Sequence, residues 1–329
     1  MIVSNSDWIQ IILGESDAGA VWQGIFESLR DLALQTKPGA LDRMTVAADR
    51  LLANGAWDLW NDYIGHARLA ANELKHFWTS TAASGTAILV LDGLSLRELP
   101  IIVAASKERG VFPIRAEAFG SQVPTDTDRF AEAVGLSNRS KLSNNNAPAS
   151  FLFAGTDVYT DVLDSPFADC VGSVTSHPRI FVWHTWPDEP LIHGNAAKDE
   201  GPELLAAQVK KQLTSDEFWF FVDRLRQGRR LVITSDHGYA VSRSFSDEIR
   251  EPEMVQLLRN TFGAKRYAPE SSTSPWPRRH LPPLVARYSG RLAVIGQRKW
   301  VVQGGFPNLC HGGLSLLEAA VPFIEFPAK

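Results

Sequence analysis

A set of aspartates and histidines in this sequence stands where short apolar runs end. "AILVLDG" finishes in Asp92, and "RIFVWHTWPDEPLIHG" runs into a loop with His184, Asp188 and His193. "LVITSDHG" finishes in Asp236 and His237, and "NLCHGGLSLLEAAVPFIEF" places His311 before two glycines. Carboxylate plus imidazole suits zinc or a similar divalent ion better than calcium, and the ligand number is enough for two ions. Each residue alone has a bland reading, since Asp before Gly is a turn signal and a lone histidine is more often structural. Their coincidence at one edge is what carries weight.

That edge depends on the elements behind it. The apolar runs 86–92, 111–119, 150–155, 179–186, 230–236, 291–296 and 320–326 read as strands. Helical patterns separate several of them, notably Leu204, Leu205, Val209 and then Phe218, Phe221, Leu225 before Gly228. Near-continuous apolar strands alternating with helices indicate a mainly parallel sheet covered on both faces. In such sheets ligands bind at the carboxyl ends of the strands, where the candidate ligands stand. The polar stretch 136–150 reads as a surface loop.

Residues 1–84 read as helical instead. Val21, Ile25, Leu29 and Leu32 repeat at helical spacing, as do Leu41, Met44, Ala48 and Leu51 before Gly55, and Trp57, Trp60, Ile64, Ala71, Leu74 and Phe77 make a third stripe. The expected fold is a three-layer α/β/α sandwich over 85–329 with a helical N-terminal appendage over 1–84.

Composition narrows the class. The chain has 329 residues, 44% hydrophobic and 21% charged, which supports a sizeable core. A net charge of -4 gives no global reason to expect nucleic acid or an anionic membrane. Two cysteines, Cys170 and Cys310, make no disulfide framework. The first residues lack a basic n-region, and no window approaches a membrane span. The expectation is a cytoplasmic protein with no membrane partner.

"ILVLDGLSLRELP", "VPTDTDRFAEAVG", "VITSDHGYA" and "HGGLSLLEAAVPFIEF", in that order, resemble the PglZ domain of the alkaline phosphatase superfamily. The resemblance covers roughly residues 85 to 329, and its last phrase is the most specific. It implies a two-metal centre, zinc first and manganese second, in which a Thr or Ser hydroxyl attacks phosphorus. Asp92, Asp236 and His237 would hold one ion with the nucleophile. Asp188, a histidine of the same loop and His311 would hold the other. Relatives often space that Asp and His four apart, whereas Asp188 and His193 are five apart, so His184 competes with His193. An arginine common after "DGL" is Ser95 here, with Arg97 two residues on.

"PTDT" fits the family's nucleophile phrase with Thr127, and Thr125 and Ser121 are the fallbacks. A free threonine hydroxyl is a poor nucleophile near neutral pH, and an adjacent cation activates it. A purely structural role for Thr127 is to cap the helix "DRFAEAVG". A helix N-terminus there would also favour an incoming phosphate.

Residues 264 to 299 hold Lys265, Arg266, Arg278, Arg279, Arg287, Arg291, Arg298 and Lys299 against Glu270, with Tyr267, Trp276 and Trp300 in or beside the run. This segment could track a phosphate backbone while aromatics stack on bases, with Arg278, Arg279 and His280 at the site mouth as substrate contacts. Equally it could be a solvated surface over buried aromatics. The expected activity is hydrolysis of a phosphodiester in a nucleotide or short oligonucleotide. The alternative is a catalytically weak or inactive interaction subunit of a bacterial anti-phage defence system, docking through the helical N-terminus.

Overall fold

The structure is a computed structural model that describes residues 5–36, 39–80, 85–160, 167–188, 202–245, 247–271, 276 and 281–329. Its centre is a six-stranded sheet built from β1 (Gly85–Leu91), β2 (Arg115–Gly120), β3 (Asp157–Tyr159), β4 (Arg179–His184), β5 (Arg229–Thr234) and the terminal strand Ala320–Phe326. The order across the sheet is β2, terminal strand, β5, β1, β4, β3. β1 is parallel to both β4 and β5, and β3 is parallel to β4. The terminal strand runs antiparallel to its neighbours β5 and β2.

Successive side chains of a strand face opposite sides of the sheet, and β1 divides its residues that way. Ala87, Leu89 and Leu91 join one core cluster, Ile88 and Val90 the other. Because both sides are dry, the strand is a continuous apolar run rather than an alternating one.

Helices α1 (Asn5–Leu13), α2 (Ala18–Gln35), α3 (Leu41–Asn54), α4 (Leu59–His66) and α5 (Ala70–Ser80) precede the sheet. They supply part of both outer layers. Val21, Ile25 and Leu29 of α2 pack into the first cluster, while Ala71, Leu74 and Phe77 of α5 pack into the second. Each large apolar side chain buried this way is worth about 1.5–3 kcal/mol. The third stripe of the sequence proves to be shared between α4 and α5, which are broken apart at Ala67 in extended conformation. Ile64, on that stripe, is 39% exposed.

Two expected strands differ. Residues 150–155 form turns, and Phe151 and Phe153 plug the second core cluster against Phe181 of β4. Their apolar character serves packing from a loop, and the short strand comes later, at β3. The run 291–296 is a strand over Arg291–Val294, but in a separate antiparallel sheet between Tyr267–Pro269 and Val285–Tyr288. Met254, Leu258 and Phe262 of the helix Pro252–Phe262 cover that small sheet in a cluster of their own.

The junction between α3 and the C-terminal segment holds a buried acid. Asp49 accepts the Leu316 backbone N–H at 2.8 Å and the Gln297 amide at 2.7 Å. Burial pushes its carboxyl from 3.8 up to about 7, against the pull of those two bonds. The folded chain therefore holds a proton that the unfolded chain has already released, so this group's contribution is full below about pH 4 and is lost as pH rises through about 7. Asp49→Asn keeps the bond from Leu316, and Gln297, whose Oε1 has no partner, can turn to accept from the new amide. Urea unfolding should show Asp49→Asn more stable than the parent by about 1–3 kcal/mol at pH 8, with the gap narrowing at pH 5 and closing below about pH 4. Equal destabilisation at both pH values would contradict this assignment.

Candidate metal centre

β4, β1 and β5 are consecutive in the sheet and parallel, so their carboxyl ends lie side by side. Asp92 follows the end of β1, Asp236 and His237 follow β5, and the loop after β4 reaches Asp188. The turns are stitched together. The Asp92 backbone N–H donates to the His184 carbonyl at 2.9 Å, and the Asp188 N–H donates to the Asp92 carbonyl at 3.0 Å. His311 arrives from the short strand Leu309–Cys310, which pairs with Ala240–Val241 just beyond His237.

Among the described residues the ligand-type atoms gather in two overlapping groups, Asp92, Asp236 and His237, and Asp188, His237 and His311, with the atoms of each group within 4.8 Å of one another. The first group matches the expected set. In the second, His237 stands beside Asp188 and His311, and the two imidazoles stack with centroids 4.2 Å apart. His193 lies outside the described residues. His184 joins neither group: its Nδ1 accepts the Trp186 N–H at 3.0 Å and its ring packs on Phe167. Burial, with Arg139 nearby, lowers its pKa to about 3, so it is a neutral core residue.

Hydrogen bonds orient each candidate ligand. Asp236 Oδ1 accepts from the N–H groups of Gly93 and His237, each at 3.0 Å. Its other oxygen, Oδ2, is buried without a hydrogen-bond partner. His237 Nδ1 lies 3.0 Å from the Gly238 carbonyl and His311 Nδ1 lies 3.0 Å from the Thr125 carbonyl. A carbonyl oxygen only accepts, so both Nδ1 atoms carry protons, and each ring, once neutral, offers Nε2 to a cation. Close approach explains the glycines that follow these histidines. A Cβ on Gly238 would sit 2.3 Å from the Leu317 carbonyl oxygen, and one on Gly313 would sit 2.4 Å from the Arg266 guanidinium.

The three hydroxyls considered as nucleophiles are placed differently. Thr127 is half-buried, with Oγ1 3.4 Å from Asp92 Oδ1 and 3.3 Å from His237 Nε2. The Thr125 hydroxyl is fully buried, donating to the Gly313 carbonyl and accepting the Gly312 N–H. Ser121 Oγ is buried and donates to the Gln122 carbonyl. Thr127 does not cap its helix, so the purely structural role open to it in the sequence is not the one it takes. Asp126 is the cap, accepting the N–H groups of Asp128 and Arg129, and Thr127 is the first helical residue. A carboxylate one residue earlier has the reach that a cap needs.

Charge completes the description. Burial, then the Asp236 and Asp188 carboxylates, hold the Asp92 carboxyl well above the usual range. Burial opposes protonation of His237, yet the same two carboxylates outweigh it and raise that imidazole. Three buried acids around one imidazole are costly without a positive charge among them. The mixed oxygen and nitrogen donors, the unpartnered Asp236 Oδ2 and the fixed tautomers together fit a divalent ion such as zinc.

The sequence reading missed Arg139. It lies in the stretch read as a surface loop, yet its Nη1 donates to Asp92 Oδ2 at 3.2 Å and its guanidinium lies over the Trp183 ring. No spacing in the sequence marks it, because the contact spans 47 positions. The basic segment is divided: Lys265 and Arg287 are exposed, and Arg291 and Lys299 are half-buried. Arg266 and Arg298 are buried, and Trp276 and Trp300 are each 2% exposed. Those two rings cannot stack on bases, which removes them from the expected nucleic-acid track. Arg278, Arg279 and His280 lie outside the described residues. Arg97 pairs with Asp42.

No protein-family model matches the sequence, and no curated protein matches it. Among solved structures, phosphonoacetate hydrolase from Sinorhizobium meliloti 1021 in complex with phosphonoacetate aligns with a TM-score of 0.43 and 13% identity, over 75% of this chain and 90% of that chain. Murine ectonucleotide pyrophosphatase/phosphodiesterase 5, as an inactive variant in complex with AMP, aligns with 0.41 and 12%, over 74% and 87%. The human protein of that name gives 0.40 and 12%, over 73% and 87%. Likeness at this level does not transfer an activity, and the chemistry of the site is carried by its own side chains.

If the groups around Asp236 and His311 hold ions, Asp236→Asn and His311→Ala should each lose at least one bound zinc by elemental analysis. Zinc should also raise the thermal midpoint of the parent more than that of either variant. A parent chain that binds no zinc or manganese after reconstitution would contradict the site.

Proposed function

We propose that this chain is a metal-dependent phosphoester hydrolase of the PglZ kind, in which the Thr127 hydroxyl attacks phosphorus. The observation that carries this reading is the position of Thr127 Oγ1, half-buried and within 3.4 Å of Asp92 and His237 in the midst of the ligand-type atoms. Asp92, Asp236 and His237 would hold one ion with Thr127, and Asp188 and His311 the other, with His193 as the further ligand expected from the same loop. The ions, when bound, supply Lewis-acid charge stabilisation and ease loss of the nucleophile's proton.

The remaining work falls to the chain. Asp92 and His237 orient Thr127 Oγ1. That oxygen bonds to phosphorus and gives up its proton, the ester oxygen leaves with its electron pair and takes up a proton, and from a diester the enzyme carries a phosphodiester on Thr127 that keeps the second ester group. Water then attacks phosphorus, the bond to Oγ1 breaks and the hydroxyl regains its proton. Two in-line displacements retain configuration at phosphorus. Arg139, against Asp92, brings a permanent positive charge to this chemistry.

A diester suits the site better than a monoester. Three carboxylates repel a second substrate charge, and Arg139 is the guanidinium that the described residues bring to Asp92. A nucleotide or short oligonucleotide fits better than a long strand, since Arg266, Arg298, Trp276 and Trp300 are spent internally. The competing reading is a binding-only subunit of a defence system. A panel of chromogenic mono- and diesters with zinc or manganese separates the two, and metal binding without turnover on any ester would favour the second.

Thr127→Ala should lower turnover by several orders of magnitude and cost below about 1 kcal/mol of stability, because Asp126 provides the cap. Thr127→Ser should keep measurable activity. Rapid quenching during turnover should leave phosphorus on the Thr127 peptide by mass spectrometry. Near-normal activity in Thr127→Ala would overturn the nucleophile.

A further inference from the structure

One buried guanidinium lies between α3 and the two turns that carry Asp92 and Asp236. Arg97 donates from Nε and Nη2 to the two oxygens of Asp42 at 3.1 and 2.5 Å. Its Nη1 donates to the Tyr239 carbonyl at 2.7 Å and to Ser95 Oγ at 2.8 Å. The same guanidinium lies 4.5 Å over the Tyr239 ring. The side chains of Arg97 and Asp42 are only 10% and 13% exposed.

The positions of these partners are informative. Ser95 stands three residues after Asp92, and Tyr239 stands two after His237. The Tyr239 hydroxyl donates to Glu98 Oε1 at 3.0 Å, which ties the second turn again to the segment after the first. The Gly93 N–H donates to Asp236 Oδ1, so the same two turns also meet at the ligand itself. Asp42 belongs to α3, which the sequence assigns to the helical N-terminal region.

We infer that Asp42 and Arg97 are a positioning pair, through which the N-terminal helices hold the Asp92 turn and the Asp236–His237 turn at the spacing an ion requires. The inference rests on the reading of these residues as a metal centre. A pair that only stabilised the fold would be replaceable by apolar side chains at little cost. Arg97 does something an apolar residue cannot, since its planar fork joins a carboxylate on α3 to acceptors on both turns. Lysine carries a compact charge without that fork and would keep only part of the arrangement.

The test compares the parent with Arg97→Lys and with the double variant Asp42→Leu/Arg97→Met. Zinc affinity is read by competition with a chromogenic chelator, the ligand field by the visible spectrum of bound cobalt, and stability by the urea midpoint of the metal-stripped chain. The double variant should bind zinc about 10–100-fold more weakly, as loss of groups that orient metal ligands does, with an altered cobalt spectrum and a urea midpoint close to the parent's. Arg97→Lys should recover part of the affinity. Zinc affinity within about twofold of the parent in every folded variant, or a loss that only follows the urea midpoint, would overturn the pair's positioning role. If the double variant fails to fold, Arg97→Lys and Arg97→Gln decide, and parent-like affinity in both overturns it. A parent that binds no zinc would instead remove the metal centre, and the inference with it.

Discussion

A guanidinium and a carboxylate, both fully buried, meet beneath the turn that carries His311. Arg266 Nε and Nη2 bond the two oxygens of Glu318 at 2.7 and 2.9 Å, while Nη1 and Nη2 reach the carbonyls of Arg298 and Gly296. Glu318 also accepts the Gly313 N–H at 2.9 Å and the Ser315 hydroxyl at 2.6 Å, and its own carbonyl takes the Gly238 N–H. One pair thus ties the small sheet, the His311 turn and the Asp236–His237 turn to the terminal strand. Breaking such a pair by removing one partner costs about 3–5 kcal/mol, although replacing both can be neutral. Its use here is orientation, because the acceptors it satisfies belong to segments that must meet at a fixed distance.

The same constraint explains why the site is built from strand ends. Rigid parallel strands fix the backbone of Asp92 and Asp236, and short bonded turns then aim their side chains. Asp236 spends one oxygen on two backbone N–H donors and leaves the other bare. His237 and His311 spend Nδ1 on carbonyls and keep Nε2 for the centre. Each arrangement fixes a rotamer or tautomer before any ion arrives, which lowers the ordering cost of binding. The burial that raises the Asp92 carboxyl is the same burial that makes a cation welcome there.

Much of this was legible in the sequence because it is local. An apolar run closing in Asp92 or in Ser235–Asp236–His237 announces both a strand and the residues at its tip, and β1 and β5 lie in one sheet as those runs imply. The terminal strand and the His311 phrase were equally plain. What could not be read depends on partners far along the chain. Thr125 and Thr127 look alike in "PTDT", and only the contact with Gly312 and Gly313 takes the first out of contention. Arg139 hides in a polar stretch whose turns fold back onto Asp92. The basic residues 266 and 298 gave no sign that internal carbonyls and Glu318 would absorb them. Phe151 and Phe153 mimic a strand because a buried loop plug needs the same apolar residues.

The central claim is that these strand tips assemble a metal centre around Thr127. Diffraction from crystals grown with zinc, recorded on both sides of the zinc absorption edge, tests it most directly. The account predicts an anomalous peak about 2.0–2.2 Å from oxygens of Asp92 and Asp236 and from His237, with a second beside Asp188 and His311. Full zinc occupancy elsewhere on the chain, with no peak among those side chains, would contradict it.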